Sequence, residues 1–280
     1  MRQTGWGPDG RRAAACITFD HLGEAAEIQI GALPPDTVVG AHPSVTHCLP
    51  ALLAALAERS TACTFYVETW NYAHYPRALE SILEHGHEIG WHGWLHEPWS
   101  KSTGSAIADS IAESLNAFER TGIRPRGARP PGGLLGDHSL DLLAQAGFDH
   151  VSLAGTRSGL QDGLALLPFA WSTVDGSYYF DSFAKLRVPP GEHAVGAPGL
   201  LAAYDRYLDE TVASGGLATF VFHVPWQDQP DRVGAVVNLI DRIADDSRIW
   251  LASAGEIADW MRAHPDSVPA VQHVDELPEW

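Results

Sequence analysis

The apolar positions of the chain fall into two alternating patterns. Short runs of consecutive apolar residues predict buried strands, and stretches with apolar residues every three or four positions predict amphipathic helices. The predicted strands cover residues 13–19, 62–67, 88–91, 150–153, 166–169, 218–222 and 249–251. The predicted helices cover residues 49–59, 75–85, 106–120, 140–146, 200–213, 233–244 and 254–261. This alternation indicates an α/β fold with a parallel sheet, of the barrel or doubly wound kind.

Polar side chains lie at the carboxyl ends of the predicted strands or in the loops directly after them. The residues at these positions are Asp20, Glu68, His92, Arg129 and His223. In a parallel α/β barrel these strand ends share one face, and that face holds the active site. Because random placement would distribute such residues over both faces, the pattern predicts a polar site at the carboxyl ends of the strands.

His92 and His96 directly follow the predicted strand 88–91. Two imidazoles at this spacing can bind one metal ion if the chain coils after the strand. The spacing alone is weak evidence, because the chain has 14 histidines and because Gly93 stands where the zincin motif has a glutamate. A pair of hydrogen-bonded loop histidines is the alternative interpretation.

The length and charge of the chain limit its architecture and its partners. With 280 residues, 45% of them hydrophobic, the chain can bury a sizeable core. It shows no linker or fixed-period repeat, so we expect a single domain over 1–280, with its core at about 13–263 and an acidic tail at 264–280. A net charge of −17 argues against nucleic acid and anionic membranes as partners.

The cysteines and the chain start indicate a compartment. Cys16, Cys48 and Cys63 are an odd number without metal-ligand spacing, which predicts buried thiols in a reducing environment. The first residues show no signal peptide, and no apolar run is long enough to span a bilayer. We therefore expect a cytoplasmic protein. Its oligomeric state stays open, a homodimer being one option.

Taken together, these motifs resemble those of the polysaccharide deacetylase (carbohydrate esterase) family. The first motif is matched by Asp20 and its neighbours at 18–23, the second by His92 and His96 behind the lead-in 86–90, the third by the Arg-Pro turn at 129–132 and the fifth by His223; the fourth, an acidic loop with tryptophan, is matched weakly by Trp171 and Asp175. The resemblance covers most of the chain. It implies a distorted (β/α) barrel with about seven parallel strands.

The resemblance also implies a divalent metal, usually zinc, with cobalt, nickel and manganese as alternatives, bound by one aspartate and two histidines. The family's metal-binding aspartate lies one or two places after its catalytic aspartate, and those places hold His21 and Leu22 here. His21 would complete a site of three imidazoles with His92 and His96, which suits zinc. Asp20, Glu24 or water are the alternative third ligands.

The implied reaction is hydrolysis of an N-acyl amide, acetyl or formyl, on an amino sugar or on a small or carrier-linked biosynthetic intermediate. Asp20 would act as the base and Arg129 would hold it ionised. His223 would protonate the leaving amine, and Asp175 would orient His223. Residues expected to line the substrate pocket are Glu68, Trp70, Trp94, Trp99, Pro131 and Trp171.

Two other functions remain open at this stage. The same pocket could serve a different hydrolytic or lyase-type reaction on a non-sugar molecule, because the family's aspartate ligand is replaced. A non-catalytic ligand-binding barrel is the third option, although such a protein has no need for the acid and the base. The long stretch from Leu22 to Thr46, rich in glycine and proline, is expected to be a lid over the pocket.

Overall fold

The computed structural model describes residues 5–59 and 61–267, and its centre is a curled sheet of nine strands. The strands are β1 (Ala13–Asp20), β2 (Thr64–Val67), β3 (Glu88–Trp91), β4 (Gly127–Ala128), β5 (His150–Val151), β6 (Gly159–Gln161), β7 (Leu164–Leu166), β8 (Leu217–His223) and β9 (Ile249–Leu251). Their order is β6-β7-β5-β4-β3-β2-β1-β8, with β9 paired to β1. Among the described strands only β6 is antiparallel. The predicted barrel of parallel strands is thereby confirmed.

The helices of the described chain occupy the connections between strands. They are α1 (Ala25–Gln29), α2 (Leu49–Ala57), α3 (Asn71–His74), α4 (Pro76–Glu84), α5 (Gly104–Thr121), α6 (Ser139–Gln145), α7 (Gly176–Tyr179), α8 (Gly196–Ser214), α9 (Pro230–Ala244) and α10 (Ala254–Ala263). Every predicted helix is present, with small differences at its ends. The three that the sequence did not predict, α1, α3 and α7, have five residues or fewer, which is too short for a helical period to appear.

The central strand β1 is buried along its whole length, and alternate residues face different layers. Ile17 and Phe19 belong to the large core between the sheet and its outer helices. Cys16 belongs to a second core on the opposite face of the sheet. The side chains of Thr18 and Asp20 lie on the same face of β1 as Cys16. The Asp20 side chain at the end of β1 therefore points into the space that the sheet encloses.

Residues 169–174 connect the far part of the sheet back to β8. Phe169 forms a parallel bridge with Ala154, and Val174 forms one with Val221 of β8. The amide of Asp175 donates to the Val221 carbonyl at 3.0 Å. The segment crosses the gap that the sheet path leaves, which gives the molecule its distorted barrel shape. It also brings Asp175 to the end of β8.

The differences from the predicted strands have local causes. Strand β7 covers Leu164–Leu166, so the strand predicted over 166–169 shares only Leu166 with it, and the strand predicted over 150–153 ends at Val151. Beyond these ends two backbone hydrogen bonds still join the segments, without a regular strand. Strand β4 has two residues and β6 has three, so neither shows an apolar run that the sequence could reveal. The expected tail at 264–280 is described only as far as a 3₁₀ turn over Pro265–Ser267; residues 268–280 lie outside the described residues.

Two further expectations concern the loop after β1 and the cysteines. The stretch from Leu22 to Thr46 is less irregular than predicted, because it contains α1 and the first residues of a π-helical turn over Ser44–Cys48. The three cysteines are buried and unpaired, as predicted. Within 5–59 and 61–267, no helix combines the length and the apolar character that crossing a bilayer requires.

Candidate active site

The carboxyl ends of the strands surround a cavity of about 210 Å³. Strand register places Asp20 beside His223 of β8, so the ends of β1 and β8 meet at this cavity. The lining residues are Asp20, His21, His92, His96, Gly132, Gly133, Phe169, Trp171, Val174, Gly176, Ser177, Phe183, Leu186, Val221, His223 and Trp226. Most of the residues predicted to carry the chemistry are therefore brought together from distant parts of the chain.

Three histidines meet at one end of the cavity. Ring nitrogens of His21, His92 and His96 lie within 4.8 Å of one another. The Nδ1 atom of His92 lies 2.8 Å from the carbonyl oxygen of Arg129. Because a carbonyl only accepts, Nδ1 carries the proton and Nε2 keeps its lone pair. The Nδ1 atom of His21 lies 2.6 Å from the Glu68 carboxylate. Nδ1 of His21 is therefore engaged by Glu68, and Nε2 of His21 remains for a ligand.

Two of these histidines have backbone conformations that non-glycine residues rarely adopt. His21 has φ of +64° and His96 has φ of +78°. Such left-handed conformations cost free energy and persist where the surroundings enforce them, often at functional sites. Around His96 the enforcing group is Glu97, whose carboxylate accepts from the backbone amides of Trp94 and Leu95 at 2.9–3.0 Å. The carboxylate thus holds the turn that carries His96.

The electrostatic surroundings differ within the histidine group. Burial lowers the pKa of His92 well below its usual value, and the neighbouring His96 and His21 lower it further. Burial, with His21 and His223, does the same to His96. Burial also opposes charging of His21, but the Glu68 carboxylate outweighs it and the pKa of His21 is raised. His92 and His96 therefore present neutral imidazoles, the form that binds metals.

Asp20 is held by a buried guanidinium. Nη1 of Arg129 donates to Oδ1 of Asp20, while Nη2 donates to the hydroxyls of Thr18 at 2.9 Å and Ser152 at 2.8 Å. The guanidinium also lies 4.2 Å from the centre of the Tyr66 ring. The second oxygen of Asp20, Oδ2, lies 3.8 Å from Nε2 of His92. Arg129 therefore fixes one carboxylate oxygen and leaves the other toward the histidines.

His223 forms a buried network with Asp175 and Gln227. Its Nδ1 lies 2.7 Å from Oδ1 of Asp175, and its backbone amide donates to Oδ2 at 2.9 Å. The Gln227 amide donates to the same Oδ2 at 2.8 Å and to the His223 carbonyl at 3.1 Å. The Trp226 ring stacks on the imidazole, with 3.7 Å between centroids. One face and one nitrogen of His223 are thus occupied, and Nε2 remains for a reacting partner.

The histidine group fits a divalent metal. Three nitrogen donors at this separation match the ligand set of a zinc site with a further position for water or substrate. The partners of His21 and His92, a carboxylate and a backbone carbonyl, are those that usually orient metal-bound imidazoles. The carboxyl groups of Asp20, Glu68 and Asp175 each contact a histidine of the site, and the Arg129 guanidinium pairs with Asp20, so a cation would help to balance the local charge. His21, His92 and His96 are the residues that would hold it.

Two carboxylates considered in the sequence are placed away from the cavity lining. Glu68 is fully buried behind His21, where it accepts from the ring of that histidine and from the Leu22 amide. It supports His21 and does not line the cavity. Glu24, an alternative metal ligand, accepts from the Tyr75 hydroxyl at 2.6 Å and from the Gly40 amide at 3.0 Å. It anchors the loop after α1, and no residue of 22–46 lines the cavity.

Of the residues expected to line the pocket, Trp171 does so. Trp99 is fully buried and packs against Trp91, with ring centroids 5.2 Å apart; this core position replaces the expected pocket position. Trp70, Trp94 and Pro131 were also expected in the pocket, but they are not among the residues that line the cavity. Trp70 stacks on His74 at 3.7 Å, and Trp94 lies in the turn that Glu97 caps. Gly132 and Gly133 line the cavity next to Pro131.

Sequence reasoning did not identify several contributors to the site. Gln227 and Glu97 act through other residues, and neither stands in a recognisable motif. Phe183, Leu186 and Trp226 line the cavity from a turn over Asp181–Leu186 and from a turn after β8. The one sequence signal for these residues was the high aromatic content of residues 171–183. The sequence alone does not show which of these side chains reach the cavity.

Comparison with known proteins agrees with this geometry. The family model for polysaccharide deacetylases matches residues 11–151, which is 141 of the 280 residues. The matched part contains Asp20, the histidine group and Arg129, whereas Asp175 and His223 lie beyond it. A crystal structure of a Mycobacterium smegmatis protein assigned to the polysaccharide deacetylases superposes with a TM-score of 0.82 at 25% identity, covering 97% of each chain.

Curated relatives share a shorter region. Chitin deacetylase 1 of Saccharomyces cerevisiae is 35% identical over 103 residues, 36% of this chain and 34% of its own length. A peptidoglycan-N-acetylglucosamine deacetylase of Bacillus cereus is 29% identical over 102 residues, 36% of this chain and 48% of its own length. The chain thus spans a third to a half of the length of these relatives. From the match over half of its length and from the shared fold, the chain belongs to the polysaccharide deacetylase family.

Proposed function

We propose that the protein is a metal-dependent hydrolase that removes an acetyl or formyl group from the nitrogen of a small or carrier-linked amine. The observation that carries the proposal is the convergence of three elements on one cavity: the histidine group, the Asp20–Arg129 pair and the His223–Asp175 pair. A metal site, a base and an acid together are what amide hydrolysis requires, because an amide needs both an activated water and a protonated leaving nitrogen.

A divalent ion of the zinc type, when bound by His21, His92 and His96, would supply Lewis acidity at the acyl oxygen and bring the pKa of a bound water to ~7. Cobalt, nickel and manganese accept imidazole ligands as well. The chain itself supplies neutral His92 and His96, whose pKa values are lowered by burial. It also supplies Glu68, which fixes the orientation of His21.

Asp20 is proposed to take the proton from the attacking water. Its Oδ1 is engaged by Arg129, and its Oδ2 faces the histidine group, 3.8 Å from Nε2 of His92. Because Arg129 is fully buried and is held by Thr18 and Ser152, the carboxylate cannot easily rotate away. A base positioned in this manner contributes typically ~10²–10⁴-fold in rate.

His223 is proposed to deliver a proton to the leaving nitrogen. Nδ1 is bound to Asp175, which leaves Nε2 as the atom that holds the transferable proton. The Asp175 carboxylate fixes the orientation of the ring, and Gln227 fixes Asp175 in turn. When the carbon–nitrogen bond breaks, the proton moves from Nε2 to the amine and the acid product keeps the oxygen of the water.

We further propose that the chain works as one catalytic domain in a reducing compartment such as the cytoplasm. The support for the compartment is the state of Cys16, Cys48 and Cys63, which are buried and unpaired. Disulfides persist in oxidising environments, whereas free buried thiols are typical of reducing ones.

The test begins with the metal content of the purified protein, measured by elemental mass spectrometry. We expect nearly one equivalent of zinc, cobalt, nickel or manganese in the wild type, and its loss in His21→Ala and His92→Ala. The matched control is His85→Ala, because His85 is an exposed histidine outside the site. Retention of metal in His21→Ala would assign the third ligand to Asp20 or water.

Hydrolysis is then followed by the release of amine from N-acetyl and N-formyl compounds. We expect Asp20→Asn and His223→Ala to reduce kcat/KM by ~10²–10⁴-fold without loss of metal. Protein that contains no metal even after reconstitution would overturn the metal-dependent mechanism. Loaded protein that releases no amine would favour a different reaction at the same site.

A further inference from the structure

The lining of the cavity has a polar part and an apolar part. The polar part consists of Asp20 and the four histidines, and the other lining side chains are mostly rich in carbon. These carbon-rich side chains, which we call the apolar wall, are Phe169, Trp171, Val174, Phe183, Leu186, Val221 and Trp226. A ligand held at the histidines therefore also meets an apolar surface.

A sugar ring can pack its C–H face on an aromatic side chain, but its hydroxyl groups also need hydrogen-bond partners. Each ring carries several hydroxyl groups, and a buried hydroxyl without a hydrogen-bond partner costs free energy. Among the described residues that line the cavity, Ser177 is the one with a hydroxyl group. Its Oγ already donates to the Trp171 carbonyl at 3.1 Å. The apolar wall thus offers few side-chain partners to a polyhydroxylated substrate.

Part of the apolar wall lies beside His223, the proposed proton donor. Trp226 covers the ring of His223 at 3.7 Å, and the Phe183 ring centroid lies 6.3 Å from that of Trp226. Phe180 packs edge-on against Trp226 at 4.9 Å, behind the wall. Because His223 is the proposed proton donor to the nitrogen, the substituent on that nitrogen lies beside these aromatic rings.

The wall is built into the fold and has a defined size. Ala184 is fully buried and fixes the turn over Asp181–Leu186, which presents Phe183 and Leu186 to the cavity. Val174 and Val221 are held by their bridge. An apolar cavity of about 150 Å³ accepts one benzene ring. The cavity of about 210 Å³ is therefore large enough for one ring and an adjoining amide.

We propose that the substrate of this site is a compact N-acyl amine whose nitrogen carries a ring-sized apolar or aromatic group, and not a residue within a polysaccharide chain. The proposal rests on the proposed function for the position of the scissile bond. The inference that an apolar group of the substrate contacts the apolar wall rests on the lining residues alone. The two can therefore be tested separately.

The experiment measures binding and hydrolysis with two matched probes, N-benzylacetamide and N-acetylglucosamine. Binding is measured by calorimetry on the Asp20→Asn variant of the whole chain, in which we expect turnover to be strongly slowed. We expect N-benzylacetamide to bind at least tenfold more tightly. Adding Leu186→Ala should weaken its binding about tenfold, because several buried carbon atoms lose contact, and should leave the sugar unchanged. The matched control is Leu83→Ala, since Leu83 is 42% exposed on α4.

Equal or tighter binding of N-acetylglucosamine would overturn the proposed substrate class, as would a Leu186→Ala effect of the same size on both probes. Hydrolysis by the wild type gives a separate result. Preferred binding of N-benzylacetamide together with its hydrolysis would support both proposals. Preferred binding without release of amine from either probe would support the apolar assignment and overturn the proposed hydrolysis.

Discussion

His21 and Glu68 form a pair whose members depend on each other. His21 occupies a position where the family resemblance implies an aspartate ligand. Glu68 is fully buried, and besides His21 it accepts from the Asn71 amide at 3.2 Å. An aspartate at position 21 would face this carboxylate, and two adjacent buried carboxylates repel each other. A histidine at position 21 is therefore compatible with Glu68, which follows β2, whereas an aspartate is not.

This dependence predicts the outcome of restoring the family's residue. His21→Asp alone should lose most of the bound metal, and the double variant His21→Asp/Glu68→Gln should recover it, because the amide removes the repulsion. Elemental mass spectrometry measures the metal, and Glu68→Gln alone is the control. Stoichiometric metal in His21→Asp alone would show that the pair is not coupled.

Gln227 provides a second test at the residue scale. Gln227→Met preserves the size of the side chain but removes the donor to Asp175. We expect kcat to fall ~10–100-fold, with unchanged KM and metal content. A decrease of this size is typical when a residue that orients a functional side chain is removed. Gln229→Met is the matched control, because Gln229 is exposed. A loss of activity that only follows a lower Tm would indicate a structural role instead.

Residues that act directly could be predicted better than those that support them. Asp20, His92 and His223 each follow a strand, and the strand rule alone places them on one face. Gln227 and Glu97 matter through contacts that exist only in the folded chain, so no pattern marks them. Trp99 shows the opposite error: an aromatic residue near a motif is equally compatible with a pocket and with a core, and only packing decides.

At the scale of elements, the loop between α1 and α2 is tied down by one buried hydrogen-bond group. Glu24 accepts from Tyr75 and from the Gly40 amide, and the Tyr75 hydroxyl accepts from the His42 amide at 3.0 Å. The loop thus depends on a carboxylate directly before α1 and on a tyrosine directly before α4. The sequence indicated an irregular segment here, but it could not reveal this long-range anchor.

Tyr75→Phe tests the anchor. Removing the hydroxyl leaves the Glu24 carboxylate and the His42 amide without this partner, which should lower the free energy of unfolding by about 1–3 kcal/mol. Hydrogen exchange should become faster at amides 31–43. Tyr72→Phe is the control, because the buried Tyr72 hydroxyl has no hydrogen-bond partner among the described residues. Equal effects of both substitutions would contradict the role of Tyr75.

At the scale of the whole molecule, buried His87 makes stability depend on pH. Burial lowers the pKa of His87 to about 4, with a smaller contribution from His85. The Cys63 amide donates to its Nδ1 at 3.2 Å, which requires the neutral ring. Because the folded pKa is below the ordinary value of 6.5, its stabilising contribution is complete above that value. It is lost as the pH falls from there toward 4.

Replacing His87 should reduce this dependence. In His87→Gln, the change in unfolding free energy between pH 7 and pH 4 should be smaller than in the wild type by roughly 2–3 kcal/mol. Urea unfolding at several pH values measures it. His138→Gln is the control, because the His138 side chain is 79% exposed. The same pH dependence in wild type and His87→Gln would exclude His87 as the cause.

The end of the family match at residue 151 divides the chain into two parts with different tasks. The part matched by the family model holds the hydrolytic residues from Asp20 to Arg129. The later part holds the wall that meets the substrate. The pairing of Asp20 in β1 with His223 in β8 ties the two parts together, so these two positions tolerate little change. In the turn over Asp181–Leu186 the buried Ala184 is constrained by packing, whereas Phe183 and Leu186 face the cavity. Descendants of one ancestral hydrolase could therefore acquire new substrates by varying this turn while inheriting the same chemistry.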